Sequence, residues 1–155
     1  MSQFLGTHQN RLDAKGRVSV PAQFRTALRA AATGDGTASL ILRPSHQHPC
    51  VEAWPVAAFQ ALATPLDRLD VFSQAHDDLA TALYGDAFPM EADKEGRIVV
   101  PEQLVAHAGL TGAVTFVGMG RIFHIWEPTA FARRREEARE RARLRELAQT
   151  GAAAA

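Results

Sequence analysis

"LDAKGRVSVPAQF", residues 12–24, and "ADKEGRIVVPEQL", residues 92–104, are two versions of one sentence written 80 positions apart. Between positions 13–24 and 93–104 there are six identities in twelve: Asp13/Asp93, Gly16/Gly96, Arg17/Arg97, Val20/Val100, Pro21/Pro101 and Gln23/Gln103. Average residue usage gives about one by chance. Val18/Ile98 and Phe24/Leu104 are conservative pairs. The surroundings repeat too. A helical stretch, "SLIL" and "VEAWPVAAF" follow the first copy, and a helical stretch, "AVTFV" and "FHIWEPTAF" follow the second. Trp54 and Phe59 thereby correspond to Trp126 and Phe131. Each half predicts strand, turn, strand, short helix, strand, strand and the start of a helix.

Local chemistry agrees with that order. "VSV" and "IVV" are short β-branched runs that end on proline, so Pro21 and Pro101 mark strand-to-helix junctions. "PAQFRTALRAAA" places Phe24, Ala27 and Leu28 on one helical face, Arg25 and Arg29 on another, and is expected to stop at "TGDGT". "PEQLVAHAGL" ends on Gly109, a left-handed cap with Leu110 folding back. "AVTFVGMGRIFHIW" reads as a hairpin around Gly118 and Gly120. Residues 55–84 read as helix broken near Pro65, with Ser73 as an N-cap and Gly85 as a stop. "RRREEARERARLREL" reads as helix with Glu137–Arg141 at a favourable spacing, and "TGAAAA" as frayed.

Composition bounds the rest. The chain has 155 residues, 46% of them hydrophobic, which suits a folded protein and excludes a disordered one. No apolar run reaches membrane-spanning length, and "MSQFLGTHQNR" lacks the pattern of a signal peptide. Cys50 is the one cysteine, so no internal disulfide is expected and a cytoplasmic address is. The formal net charge is zero, but it is unevenly spread. Residues 1–60 carry +3, residues 61–127 carry −6 and residues 128–155 carry +3. Two basic ends around an acidic middle permit a nucleic-acid surface without demanding one.

The turn itself narrows the possibilities. Asp at the first position and Gly at the fourth of "DAKG" and "DKEG" suit a type I turn with a left-handed glycine, a purely structural signature. Arginine at the next position is not required by that turn. Asp13 with Arg17, and Asp93 with Arg97, can pair across it. The pair either braces the hairpin or aims a guanidinium at guanine O6 and N7, or at a phosphate.

These residues resemble the MraZ family of bacterial transcriptional regulators, whose halves are each of SpoVT/AbrB type. The resemblance runs from Phe4 to about Phe131 and includes "AHAGL" and "PCVEAWP". It implies an α+β, mostly β fold of two tandem pseudo-symmetric, swapped-hairpin halves sharing a core. The expected divisions are residues 1–60, connecting helices over 61–85, a second half over 86–132 and an arginine-rich helical tail over 133–155. It also implies a repressor, associated with the nucleoid, of the division and cell-wall gene cluster that contains its own gene. Ring-like homo-oligomers would read direct repeats in double-stranded DNA. Arg17 and Arg97 are then the readers, Asp13 and Asp93 their orienters, and Gly16 and Gly96 the turn-formers. Lys15, Arg11 and Arg25 would clamp phosphates. Glu95 stands where the first turn has Lys15, and Val105 where the first helix has Arg25, so the first loop is the better expected contact. Several identical loops would multiply an individually weak, salt-sensitive affinity.

Other constellations point elsewhere. His46, His48 and Cys50 in "HQHPC" have metal-ligand character, but no second pair follows at finger-like spacing. A polar loop leading into a buried strand is the expectation, with no metal or cofactor. The arginine-rich tail reads as a solvated helix, and the paired Trp and Phe residues as core. No nucleophile elbow, P-loop or dinucleotide fingerprint is present, so neither an enzyme nor a small-molecule substrate is expected. The rival readings are an antitoxin-like module whose loops dock acidic partner segments, and an enzyme using the histidine loop.

Overall fold

The computed structural model describes residues 3–32 and 39–154; the expected helix stop at "TGDGT" lies outside them. The first half contains β1 (Thr7–Arg11), β2 (Arg17–Ser19), α1 (Ala22–Ala31), β3 (Ser39–Pro44), β4 (Val51–Pro55) and α2 (Val56–Gln60). Two helices, α3 (Ala63–Asp67) and α4 (Gln74–Tyr84), lead to the second half. That half contains β5 (Phe88–Glu91), β6 (Arg97–Val99), α5 (Glu102–Ala108), β7 (Ala113–Gly118), β8 (Phe123–Trp126) and α6 (Pro128–Ala154). The two series match element for element.

Neither half closes on itself. The main sheet has the order β1-β7-β8-β4-β3-β5, and β2 pairs only with β6. The first strand of each half therefore lies on the third strand of the other. Register is symmetric as well. Val18 faces Ile98 at the centre of the β2–β6 ribbon, and Glu52 faces His124 at the centre of β4–β8. Val20 N–H donates to Gly96 O at 2.9 Å, and Val100 N–H to Gly16 O at 2.8 Å, so each turn is tied to the other half's strand. The physical reason is size: a half of this length buries too little apolar surface alone.

The alternation in "RVSV" and "RIVV" sends Val18, Val20, Ile98 and Val100 inward, and all four are buried. They join Phe4, Phe24, Leu104, Phe116 and Phe123 in one core beneath the main sheet. The sheet's opposite face carries Trp54 and Trp126. Phe59, Leu66 and Leu83 of α2–α4 cover the first; Ala130 and Phe131 of α6 cover the second.

Several local expectations hold. Ser73 caps α4, accepting from His76 N–H at 3.1 Å. Gly109 is left-handed, with Leu110 N–H donating to Val105 O at 3.0 Å. Others need correction. Pro65 is not itself the break: it lies in the first turn of α3, where its missing N–H is harmless, and the helix is interrupted on either side of it, at 61–62 and after Asp67. The terminal "TGAAA" continues α6 rather than leaving it, since alanine is the best helix former. Among the described residues of α6 the ion pairs are Arg134–Glu137 and Arg143–Glu140, not Glu137–Arg141.

Candidate nucleic-acid interface

The sequence presents two loops, and the fold joins them into one surface. On the antiparallel β2–β6 ribbon, Arg17 lies opposite Val99 and Ser19 opposite Arg97. Residues paired directly across an antiparallel ribbon share a face. Since Val18 and Ile98 point into the core, Arg17, Ser19, Arg97 and Val99 all point away from it. The two arginines are diagonal neighbours, about 7–8 Å apart by ordinary ribbon geometry and somewhat closer at Cβ. Val99 is 53% exposed, an outward β-branched residue within the run "IVV".

Each turn is built around its aspartate. Asp13 Oδ1 accepts from the backbone N–H groups of Lys15 and Arg17 at 2.9 and 2.8 Å, and Oδ2 from Arg17 Nε at 2.7 Å. Asp93 repeats this with Glu95, Arg97 and Arg97 Nε at 2.9, 2.9 and 3.0 Å. The Arg17 backbone N–H above all, then the Arg17 side chain, holds the Asp13 carboxyl below the usual aspartate range; for Asp93 the Arg97 backbone N–H leads likewise. Gly16 and Gly96 have φ of +80° and +79°, a conformation that closes the turn and that side chains resist. The pair braces the turn through Nε and fixes the direction of the rest of the guanidinium.

The two turns differ in what surrounds them. Arg17 Nη1 and Nη2 have no protein partner among the described residues, so its outer edge is available. Arg97 Nη2 is also bound to Glu95, at 3.2 Å. Arg25 is half-buried, lies over Gly96 and donates from Nη1 to Glu95 O at 3.1 Å. It is committed to the second turn. Lys15 is exposed, as is Arg11 at the end of β1. Lys94, which the sequence reading passed over, is exposed on the second turn; its signal was its place between Asp93 and Glu95.

In the histidine loop Ser45 and Cys50 are buried while His46 is exposed. His48 stacks near Trp126 with ring centroids 5.7 Å apart, and burial pushes the Cys50 thiol up to about 12. Among the described residues no group of three or more His, Cys, Asp or Glu side chains gathers as a metal site, and no helix is long and apolar enough to cross a membrane.

A family model described as "MraZ protein, putative antitoxin-like" matches residues 3–81 and 83–151, one match per half. The chain is 68% identical over 143 residues to a transcriptional regulator MraZ of Gluconacetobacter diazotrophicus, covering 92% of this chain and 90% of that protein. It is 62% identical over 143 residues to the protein of that name from Gluconobacter oxydans, covering 92% and 87%. The Azorhizobium caulinodans protein of that name is 42% identical over 143 residues, covering 92% and 88%.

Proposed function

The chain belongs to the MraZ family, and on that premise we propose that it is a transcriptional regulator that seats its β2–β6 ribbon in the major groove of double-stranded DNA. The observation that carries the reading is the outward face of the ribbon, with two arginines each aimed by a carboxylate through Nε. A major groove about 12 Å wide admits a two-stranded ribbon. Arg17, whose Nη edge is open, forks onto guanine O6 and N7. Arg97 shares its edge with Glu95 and contributes less. Val99, between them, suits a thymine methyl. Lys15 and Arg11 take phosphates, while Arg25 acts through the turn it braces.

One ribbon offers few cations, so a single copy binds weakly and loses affinity with salt. Association of several copies, in a ring-like homo-oligomer, makes reading of repeated promoter boxes efficient. We assign the action as repression, exerted in the cytoplasm at the nucleoid. The targets are the division and cell-wall gene cluster, including the protein's own operon.

The test is a gel shift on DNA upstream of the protein's own gene, with intact and scrambled repeats across a salt series. Selective binding to intact repeats, weakening with salt, is expected. Binding indifferent to scrambling, or none at all, sinks the reading and favours a protein-docking role for the same arginines.

A further inference from the structure

The pseudo-symmetry leaves one position unmatched. In the second half, the Arg25 side chain covers Gly96 and caps the Glu95 carbonyl at 3.1 Å. In the first half its counterpart is Val105, whose shorter side chain leaves Gly16 half-exposed where Gly96 is buried. The space becomes an open groove of about 500 Å³ beside the first turn, lined by Leu12, Val100, Val105 and Leu110 with Glu102 among them. The Lys15 carbonyl, counterpart of that of Glu95, receives no hydrogen bond from the described residues. Glu102 has no cationic partner among them either. The fold's own second copy thus displays the side chain that such a site takes: an arginine, with apolar neighbours.

The distal part of α6 offers that combination. From Arg139 to Gly151 every residue is exposed. Leu144 and Leu147 are 52% and 56% exposed, and Arg141 lies one turn before Leu144 on the same side. Arg141 has no ion-pair partner among the described residues. No α6 residue of the same chain lines the groove, so an occupant from α6 comes from another copy.

We propose that the distal end of α6 from a second copy docks in this groove. Leu144 and Leu147 pack on Val105 and Leu110, and Arg141 reaches over Gly16 to the Lys15 carbonyl and Glu102. The contact is head-to-tail, using different surfaces on the two copies, and so propagates to a closed ring when the rotation closes. It places one copy's arginine against the DNA-reading turn of the next. This inference rests on the self-association in the reading above, and its test is read without DNA.

Two differently tagged chains carry Ala106→Cys and Leu147→Cys respectively, the native Cys50 being buried in both. After mixing and mild oxidation, a mixed-tag disulfide should form at least about tenfold faster than with a control pair, Ala106→Cys and Gln60→Cys. Val105→Arg, which fills the groove from its own chain, should abolish that advantage and reduce assembly mass by light scattering. Cross-linking no faster than the control, or unaffected by Val105→Arg, overturns the docking. Failed selective DNA binding with the cross-link intact counts against the DNA reading alone.

Discussion

Arg17 and Arg97 stand as diagonal neighbours on the outer face of one β-ribbon, with Arg17 opposite Val99 and Arg97 opposite Ser19. Eighty residues separate them in the chain, yet they share one outward face. Each is held by an aspartate four residues earlier, at 2.7 Å for Arg17 and 3.0 Å for Arg97.

The two arginines are not equivalent, and their alanine variants should show it. Arg17→Ala should lose about 1–3 kcal/mol of discrimination between intact and scrambled promoter boxes. Arg97→Ala should lose less, because Glu95 already shares its edge. Exposed ion pairs contribute little to stability, so circular dichroism and thermal melts should change little in either. Competition anisotropy measures the binding. An Arg17→Ala protein that unfolds, with no selective DNA defect, would reduce the arginine to a brace.

Glu95→Lys makes the second turn resemble the first. It removes the carboxylate bound to Arg97 Nη2 and adds a cation. Affinity for duplex DNA at low salt should rise, and the slope of log K against log salt should steepen by about one counterion. An unchanged slope would place the second turn away from the phosphates.

Left-handed glycines distinguish the turns by stability. Alanine at Gly16 or Gly96 should each cost roughly 1–2 kcal/mol for the backbone conformation. Gly96→Ala carries an excess from its new methyl meeting the Arg25 side chain, whereas the methyl of Gly16→Ala meets the Val100 carbonyl oxygen of the backbone. Chemical denaturation in an Arg25→Ala background checks this: the excess should vanish there, while Gly16→Ala should cost the same in both backgrounds.

His124 gives the fold a pH dependence. Burial, with His48 and Arg134 nearby, lowers it to about 4. Its Nδ1 accepts from Trp126 Nε1 at 3.3 Å, and Glu52 faces it on β4. The unfolded state takes up this proton near pH 6.5 and the folded state only near 4, so the unfolded state binds more protons in between. Stability from this group is complete above about 6.5 and falls by about 1.4 kcal/mol per pH unit until about 4. Asp13 and Asp93, with lowered values, hold their turns throughout that window and release them only below the ordinary aspartate range. Urea denaturation from pH 7.5 to 4.5 should show the loss, and His124→Gln should flatten it. A wild-type profile already flat would contradict the assignment.

Local chemistry carried far in the sequence. Pro21 and Pro101 located the strand-to-helix junctions, Ser73 its cap and Gly109 its left-handed stop, because each acts on its own backbone. Pro65 misled because proline is tolerated in a first turn, and position within a helix is invisible until its start is known. At the site, Asp13, Arg17, Asp93 and Arg97 were legible from the repeat. Val99 was not, since "IVV" does not say which valine faces outward until the ribbon has a core beneath it. Nor was the bond from Arg25 to the second turn, since Arg25 read as a phosphate clamp on the first helix.

By itself the sequence determined that there are two equivalent halves, what elements each contains and which Asp–Arg pairs sit at their turns. Those are properties of residues within a few positions of one another. Only the tertiary structure decided which strands the halves exchange, that Arg17 and Arg97 share one face, and that Arg25 donates to the Glu95 carbonyl while Val105 leaves Gly16 open. Such relations join residues some 45–110 positions apart. They arise because neither half can bury its apolar face without the other.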